Sequence, residues 1–226
     1  EELAALDNLH KPKRPVIFVL GGAKPDDSLP ILQSWLEAGK LDAALTGGVM
    51  ANLMILASGR ELGGSLELLK KKKVIDALPA ARELVKKYGK RILIPTDVVL
   101  DDSGTAKLLA VSDLPVQQSI LDIGPQTAAH YADQIEHAGT IVMNGPMGVF
   151  EKKEFAHGTK VVLDAIAHSR GFSLLGGGNT LDALDRLGID RKKLGYVSLS
   201  GKALIEYLAG EKLPGVELVR SGGKQN

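Results

Sequence analysis

Short apolar runs that end in glycine recur along this chain, each followed by a helical pattern, and this rhythm constrains the fold more than any other feature. Val16-Ile17-Phe18-Val19-Leu20 leads into Gly21-Gly22, and Ala43-Ala44-Leu45-Thr46 into Gly47-Gly48. Ile120-Leu121-Asp122-Ile123 meets Gly124-Pro125, and Ile141-Val142-Met143-Asn144 meets Gly145-Pro146. Phe172-Ser173-Leu174-Leu175 meets Gly176-Gly177-Gly178, and Tyr196-Val197-Ser198 leads to Gly201. Apolar periodicity predicts helices over 29–36, 51–57, 128–135, 155–167, 180–187 and 203–208. Strands that are apolar on both faces belong inside a sheet covered by crossover helices. The expected fold is therefore α/β: a doubly wound, Rossmann-like parallel sheet in a three-layer sandwich. Right-handed crossovers bring the strand C-termini to one edge, so six glycine-marked turns should share the rim where open α/β sheets bind ligands.

The remaining stretches are less regular. Residues 66–88 read as one long helical segment carrying Lys70-Lys71-Lys72-Lys73. With no interleaved aromatics, that run reads as a solvated helix surface rather than a nucleic-acid patch. Arg91-Ile92-Leu93-Ile94-Pro95 and Val98-Val99-Leu100 read as further strands, with Asp101-Asp102-Ser103-Gly104 as a turn. The opening Glu1-Glu2-Leu3-Ala4-Ala5-Leu6, broken at His10-Lys11-Pro12, reads as the end of a helix whose earlier part is missing. The expected organisation is a helix end and linker over 1–14, an α/β domain over 15–220 and a tail over 221–226.

Composition removes several classes of function. The 226 residues carry 28 Lys+Arg against 27 Asp+Glu, a formal charge of +1, which disfavours wholesale binding to nucleic acid or an acidic membrane. Cysteine is absent, and with it disulfides, zinc–thiolate sites and thiol nucleophiles. No run of about 18 apolar residues occurs, so a cytoplasmic protein is expected. His10, His130, His137, His157 and His168 form no metal-binding spacing and read as surface residues; neither HExxH nor GxSxG occurs.

The chemistry-bearing candidates are the glycine turns. In Gly176-Gly177-Gly178-Asn179-Thr180, three glycines precede a helix, so a ligand can approach the backbone closely. Asn179 is expected to cap that helix and leave N–H groups at its positive end for a phosphate. The alternative is a tight strand-to-helix turn, which needs one or two glycines rather than three. Gly21-Gly22-Ala23-Lys24 adds a lysine that can neutralise phosphate, or can simply be solvated. Asp26 and Asp27 could hold magnesium or cap the next helix. Asn144-Gly145-Pro146-Met147-Gly148-Val149-Phe150-Glu151 is too glycine-rich and apolar for an ordinary exposed loop; it can wall an adenine or ribose, with Glu151 accepting from sugar hydroxyls. Gly195 to Ala203 approaches a phosphate-binding GxxxxGK[ST] loop, but has one residue too many between the glycines and Ala203 in place of the hydroxyl. Lys202 keeps an anion-binding reading. The strict GxGxxG fingerprint is absent, which counts against a nicotinamide enzyme.

Taken in order, these segments resemble the phosphoglycerate kinase family, specifically its C-terminal, nucleotide-binding domain, and most of all archaeal members. The resemblance rests on Arg14-Pro15, Leu20-Gly21-Gly22-Ala23-Lys24, Thr46-Gly47-Gly48-Val49-Met50, Pro95-Thr96-Asp97-Val98 and Leu121-Asp122-Ile123-Gly124-Pro125. It continues through Asn144–Glu151, Phe155-Ala156-His157-Gly158-Thr159, Gly176–Thr180 and Leu213-Pro214-Gly215-Val216, and so covers nearly the whole chain. It implies one half of a two-domain kinase that interconverts ATP plus 3-phosphoglycerate with ADP plus 1,3-bisphosphoglycerate, the other half being a missing N-terminal acceptor domain. It implies ATP/ADP and Mg²⁺ as ligands. By motif, Gly22, Ala23, Lys24, Gly47 and Gly48 line the nucleotide site, Leu121 and Pro146 flank adenine, and Asn144 and Glu151 face the ribose. Gly176, Gly177, Gly178, Asn179 and Thr180 hold the phosphates, and Lys24 neutralises the phosphoryl group in transfer. Three positions depart from the pattern: Ser28 replaces a second lysine, Asn179 a magnesium-binding aspartate, and Ser198-Leu199-Ser200-Gly201-Lys202-Ala203 a more glycine-rich turn. Lys202 is expected to substitute in part for the lost lysine, and Asn179 to bind metal more weakly than a carboxylate. The alternative to an enzyme half is a nucleotide- or phosphate-binding module without turnover.

Overall fold

The computed structural model describes Leu9, residues 11–22 and residues 25–198, the side chains of residues 25–27 excepted. The predicted helix at 203–208, the helix end over 1–8, the tail over 221–226, and Ala23, Lys24 and Lys202 lie outside the described residues, as do the side chains of Asp26 and Asp27.

Six strands build the parallel sheet: β1 (Val16–Leu20), β2 (Ala43–Thr46), β3 (Ile92–Leu93), β7 (Thr140–Asn144), β8 (Phe172–Gly176) and β9 (Tyr196–Ser198). Their order is β3-β2-β1-β7-β8-β9, and every pair is parallel. Alternate side chains of β1 feed two separate cores, because successive residues of a strand point to opposite faces. Val16, Phe18 and Leu20 pack with α1 (Pro25–Glu37) and α2 (Gly48–Ala57). Ile17 and Val19 pack with α5 (Pro125–Glu136), α6 (His157–His168) and α7 (Gly178–Arg186). The result is the expected doubly wound three-layer sandwich.

Three expectations change. Strand β6 (Ser119–Ile123) does not join the parallel sheet; it pairs antiparallel with β4 (Asp97–Asp102), which also pairs with β5 (Thr105–Ala110). Five glycine-marked strand ends, not six, therefore belong to the parallel sheet. The segment 66–88 is not one helix: α3 (Ser65–Lys71) ends where Lys73 adopts a left-handed φ of 58°, a short 3₁₀ turn follows, and α4 (Leu78–Tyr88) begins anew. Asp101 and Asp102 complete β4, leaving Ser103 and Gly104 as the hairpin turn, with φ of 56° and 87°.

The small sheet is fastened to the large one at a few defined points. Gly64 N donates to the Val116 carbonyl at 2.8 Å, and the Ile120 N–H donates to Ser65 Oγ at 2.7 Å. A Cβ at Gly63 or Gly64 would strike the carbonyls of Val116 and Gln117, so only glycine lets α3 lie this close to β6. On the other side, Tyr131 of α5 sends its hydroxyl to the carbonyls of Thr46 (3.0 Å) and Leu93 (2.9 Å) at the ends of β2 and β3. Among the described residues no helix is long and apolar enough to cross a membrane.

Candidate functional site

Strand register brings the glycine turns together. Leu20 sits opposite both Thr46 and Asn144, Asn144 opposite Gly176, and Gly176 opposite Ser198, so β1, β2, β7, β8 and β9 all end at one level. Backbone hydrogen bonds then lace the turns: Gly22 N to the Pro146 carbonyl (2.8 Å), Gly48 N to Met147 (2.7 Å) and Val49 N to Gly22 (3.0 Å). The loop after β7 is pinned in addition by side chains. Gly145 N donates to Thr180 Oγ1 at 2.9 Å and Met147 N to Thr159 Oγ1 at 3.1 Å, while Val149 N donates to the Leu121 carbonyl at 2.8 Å.

Beside this rim opens a cavity of about 370 Å³, within the range of small-molecule sites. Gly22, Gly48 and Pro146 form its edge along the sheet, and Asn179 marks the start of α7. Val149, Phe150 and Glu151 form a second wall. Val49, Asn52, Leu68, Ile120 and Leu121 give the third, largely apolar wall where α2, α3 and β6 meet, and Lys72 stands there too. The cavity is thus apolar at one end and reaches a helix N-terminus at the other.

That N-terminus differs from its neighbours. The first N–H groups of α2 are spent on Met147 and Gly22, those of α5 on the Asp97 carboxylate (Gln126 N at 3.0 Å, Thr127 N at 2.8 Å), and Gly158 N of α6 on Asp122 (2.7 Å). Helix α7 begins without a capping side chain, and its cap position is held by Gly177 at φ 100°, not by Asn179, which is the second helical residue. A Cβ at Gly177 would meet Asn144 Oδ1, whereas a Cβ at Gly178 would meet no protein atom within 4 Å. Glycine at 178 is therefore not demanded by the packing of the chain itself. Free N–H groups on the positive end of a helix, beside open space, are what an anionic group needs.

Of the sequence-derived site residues, the cavity collects Gly22, Gly48, Leu121, Pro146, Glu151 and Asn179. Gly47 lies under Met147, and Thr180 is fully buried with its hydroxyl occupied by Gly145 N, so both build the rim rather than line the cavity. Asn144 closes β7 against Gly177, and Gly176 to Gly178 continue the rim beside it. Ser28, at the position of the missing lysine, is buried on α1. The four described histidines are exposed, as expected. Among the described residues no three His, Asp or Glu side chains converge as a metal cage, and Asn179 supplies only one neutral oxygen. These residues do not fit a protein-built magnesium site.

Sequence reasoning did not single out Asn52, Leu68 or Lys72. Asn52 had a signal: a lone polar residue in the apolar run Val49-Met50-Ala51-Asn52-Leu53-Met54-Ile55. Beneath Gly148, which lines the cavity, Asp122 is buried at 2% exposure; its Oδ1 accepts from Ile123 N (2.9 Å) and its Oδ2 from Gly158 N. Burial outweighs those two donors and pushes the Asp122 pKa up to about 7.

The phosphoglycerate kinase family model matches residues 1–211. Phosphoglycerate kinases of Roseiflexus sp. (strain RS-1) and Thermoplasma acidophilum are 40% and 38% identical over 95% and 99% of the chain, which covers 54% and 55% of them. The crystal structure of phosphoglycerate kinase from Pyrococcus horikoshii superposes with a TM-score of 0.90 at 37% identity, over 97% of this chain and 55% of that one. The Coxiella burnetii enzyme gives 0.86 at 34%, over 99% of this chain and 57% of that one. The chain spans about half the length of the relatives it matches. On its motifs, its sheet and these matches, the chain belongs to the phosphoglycerate kinase family.

Proposed function

We propose that these residues form the nucleotide half of a phosphoglycerate kinase, a cytoplasmic enzyme of glycolysis that exchanges a phosphoryl group between ATP and 3-phosphoglycerate. The observation that carries this reading is the make-up of the cavity: an apolar wall of Val49, Leu68, Ile120 and Leu121, and the uncapped start of α7 beside Gly178. The base would lie between Leu121 and Pro146, the ribose against Glu151, and the phosphates over the first turn of α7. Phosphoryl transfer asks little covalent work of a protein, so positioning and charge compensation are the tasks left to these residues. Lys24 and Lys202 are proposed to supply the positive charge. Mg²⁺ would arrive on the nucleotide phosphates, with Asn179 a neutral contact to it.

The acceptor, 3-phosphoglycerate, would be held by an N-terminal domain corresponding to the half of the relatives that these residues do not match. Without it, no second substrate is placed in line. The 226 residues alone should therefore bind nucleotide and turn over negligibly. Calorimetric titration with ADP, with and without Mg²⁺, tests this: one saturable site supports the reading, and no heat at millimolar ADP overturns it. Formation of 1,3-bisphosphoglycerate by a preparation free of full-length enzyme would refute the claim of inactivity.

A further inference from the structure

The cavity lining holds two charged side chains, Lys72 and Glu151. Lys72 is placed by the end of α3, where its N–H donates to the Leu68 carbonyl at 3.0 Å. Residues four apart share a helix face, so Lys72 follows Leu68 along the same cavity wall. Lys71, Lys72 and Lys73 are all exposed and form no ion pair among the described residues, whereas Lys70 is held by Glu67 at 2.9 Å. A helix C-terminus favours nearby cations, but four in succession also repel one another. On the opposite wall and just after it, Glu151 and Glu154 balance Lys152 and Lys153. The excess positive charge on the described walls therefore comes from the end of α3.

We propose that Lys71, Lys72 and Lys73 form a capture surface for the anionic nucleotide, drawing it to the cavity mouth and raising its rate of entry. This rests on the nucleotide reading above and adds to it how the ligand reaches the site. A cleft with low-dielectric walls and one sign of charge at its edge focuses the field and speeds arrival of the opposite charge. Unpaired lysines serve this better than paired ones, because no carboxylate cancels their field. The attraction acts before contact, so it changes association and leaves dissociation to the groups that touch the ligand. Salt screens it, because the Debye length shrinks from about 30 Å at 0.01 M to about 3 Å at 1 M.

The test is stopped-flow association of methylanthraniloyl-labelled ADP with the 226-residue chain at rising salt. Replacing all three lysines (Lys71→Gln, Lys72→Gln, Lys73→Gln) should slow association about tenfold at about 10 mM salt, with dissociation unchanged. The gap should close by about 0.5 M salt. The labelled nucleoside, which has no phosphate, should enter both proteins equally fast; a merely structural role for the lysines would slow it too, and that result overturns the proposal. Arg170→Gln, Lys192→Gln and Lys193→Gln together remove the same charge at the opposite edge of the sheet, before β8 and β9. That control should associate like wild type, and an equal loss in it would assign the effect to net charge and overturn the proposal. Equal association rates for wild type and the lysine variant overturn it while leaving the nucleotide site standing, as does a change confined to dissociation. Failure of wild type to bind ADP in calorimetry removes the underlying reading, and this one with it.

Discussion

Asp122, buried beneath the cavity-lining Gly148, can be tested by pH. Its carboxyl group lies beneath Gly148, where a Cβ would collide with Oδ1, and against the first turn of α6, where Gly158 N donates to Oδ2. Those donors favour the anion, but burial costs it more, and the pKa rises from 3.8 to about 7. In the unfolded chain the same carboxyl ionises near its ordinary value. Between those two values the native state keeps a proton that the unfolded state has released, so stability falls as pH rises through the window. Below it the group contributes no penalty; above it the penalty is complete. An interval of about three pH units, at about 1.4 kcal/mol each, makes that penalty about 4 kcal/mol. Asp122→Asn abolishes the titration. Its amide oxygen can serve one N–H, while its NH₂ faces the other, a cost that does not vary with pH. Denaturant unfolding of both proteins at about pH 4, 6 and 8 therefore isolates the effect, since all other carboxylates cancel in the difference. The stability of wild type relative to the variant should drop by about 4 kcal/mol from the acid to the alkaline end. Parallel stability curves would refute the reasoning, and would mean that the two backbone donors fully offset desolvation at this site.

Four further outcomes follow from the rim. Gly177→Ala forces a side chain into φ 100° and against Asn144, and should cost about 1–2 kcal/mol in denaturant unfolding. Gly178→Ala meets nothing, so stability should hold or rise by about 0.5–1 kcal/mol, while ADP affinity in calorimetry falls because the methyl occupies the phosphate approach. Thr180→Val strands the buried Gly145 N–H and should destabilise by about 1–3 kcal/mol, with Thr180→Ser restoring most of the loss in the same assay. Tyr131→Phe removes the hydroxyl shared by the Thr46 and Leu93 carbonyls and should lower stability by about 1 kcal/mol, read from the thermal midpoint.

The strands of the large sheet were legible because burial on both faces leaves an unbroken apolar run with a glycine stop. Val16–Leu20 and Ala43–Thr46 are bounded in the structure where the sequence bounds them. The same logic misplaced Ile120–Ile123: an apolar run reports burial, not the sheet that buries it, and its partner β4 is fixed by long-range pairing. Strand β5 was invisible because Thr105–Ala110 is mostly exposed and carries no apolar alternation. The break at Lys73 was hidden by a lysine run that reads as helix on both sides of it. Lys72 and Leu68 became cavity residues only once Gly63 and Gly64 let α3 settle on β6.

The glycines show most clearly what sequence and geometry each contribute. Gly21, Gly47 and Gly145 look like ligand glycines in the sequence, yet a Cβ on any of them would strike the backbone or side chain of another rim turn. They are required for the turns to pack at all, whether or not a phosphate ever approaches. Gly178 has no such duty, because the space beside it is open. A glycine at the first position of a helix, where the fold leaves room for a side chain, keeps that space open for something outside the chain. The rim's glycine density thus combines two pressures, and the case for a phosphate subsite stands on Gly178 and the uncapped start of α7 rather than on the number of glycines around them.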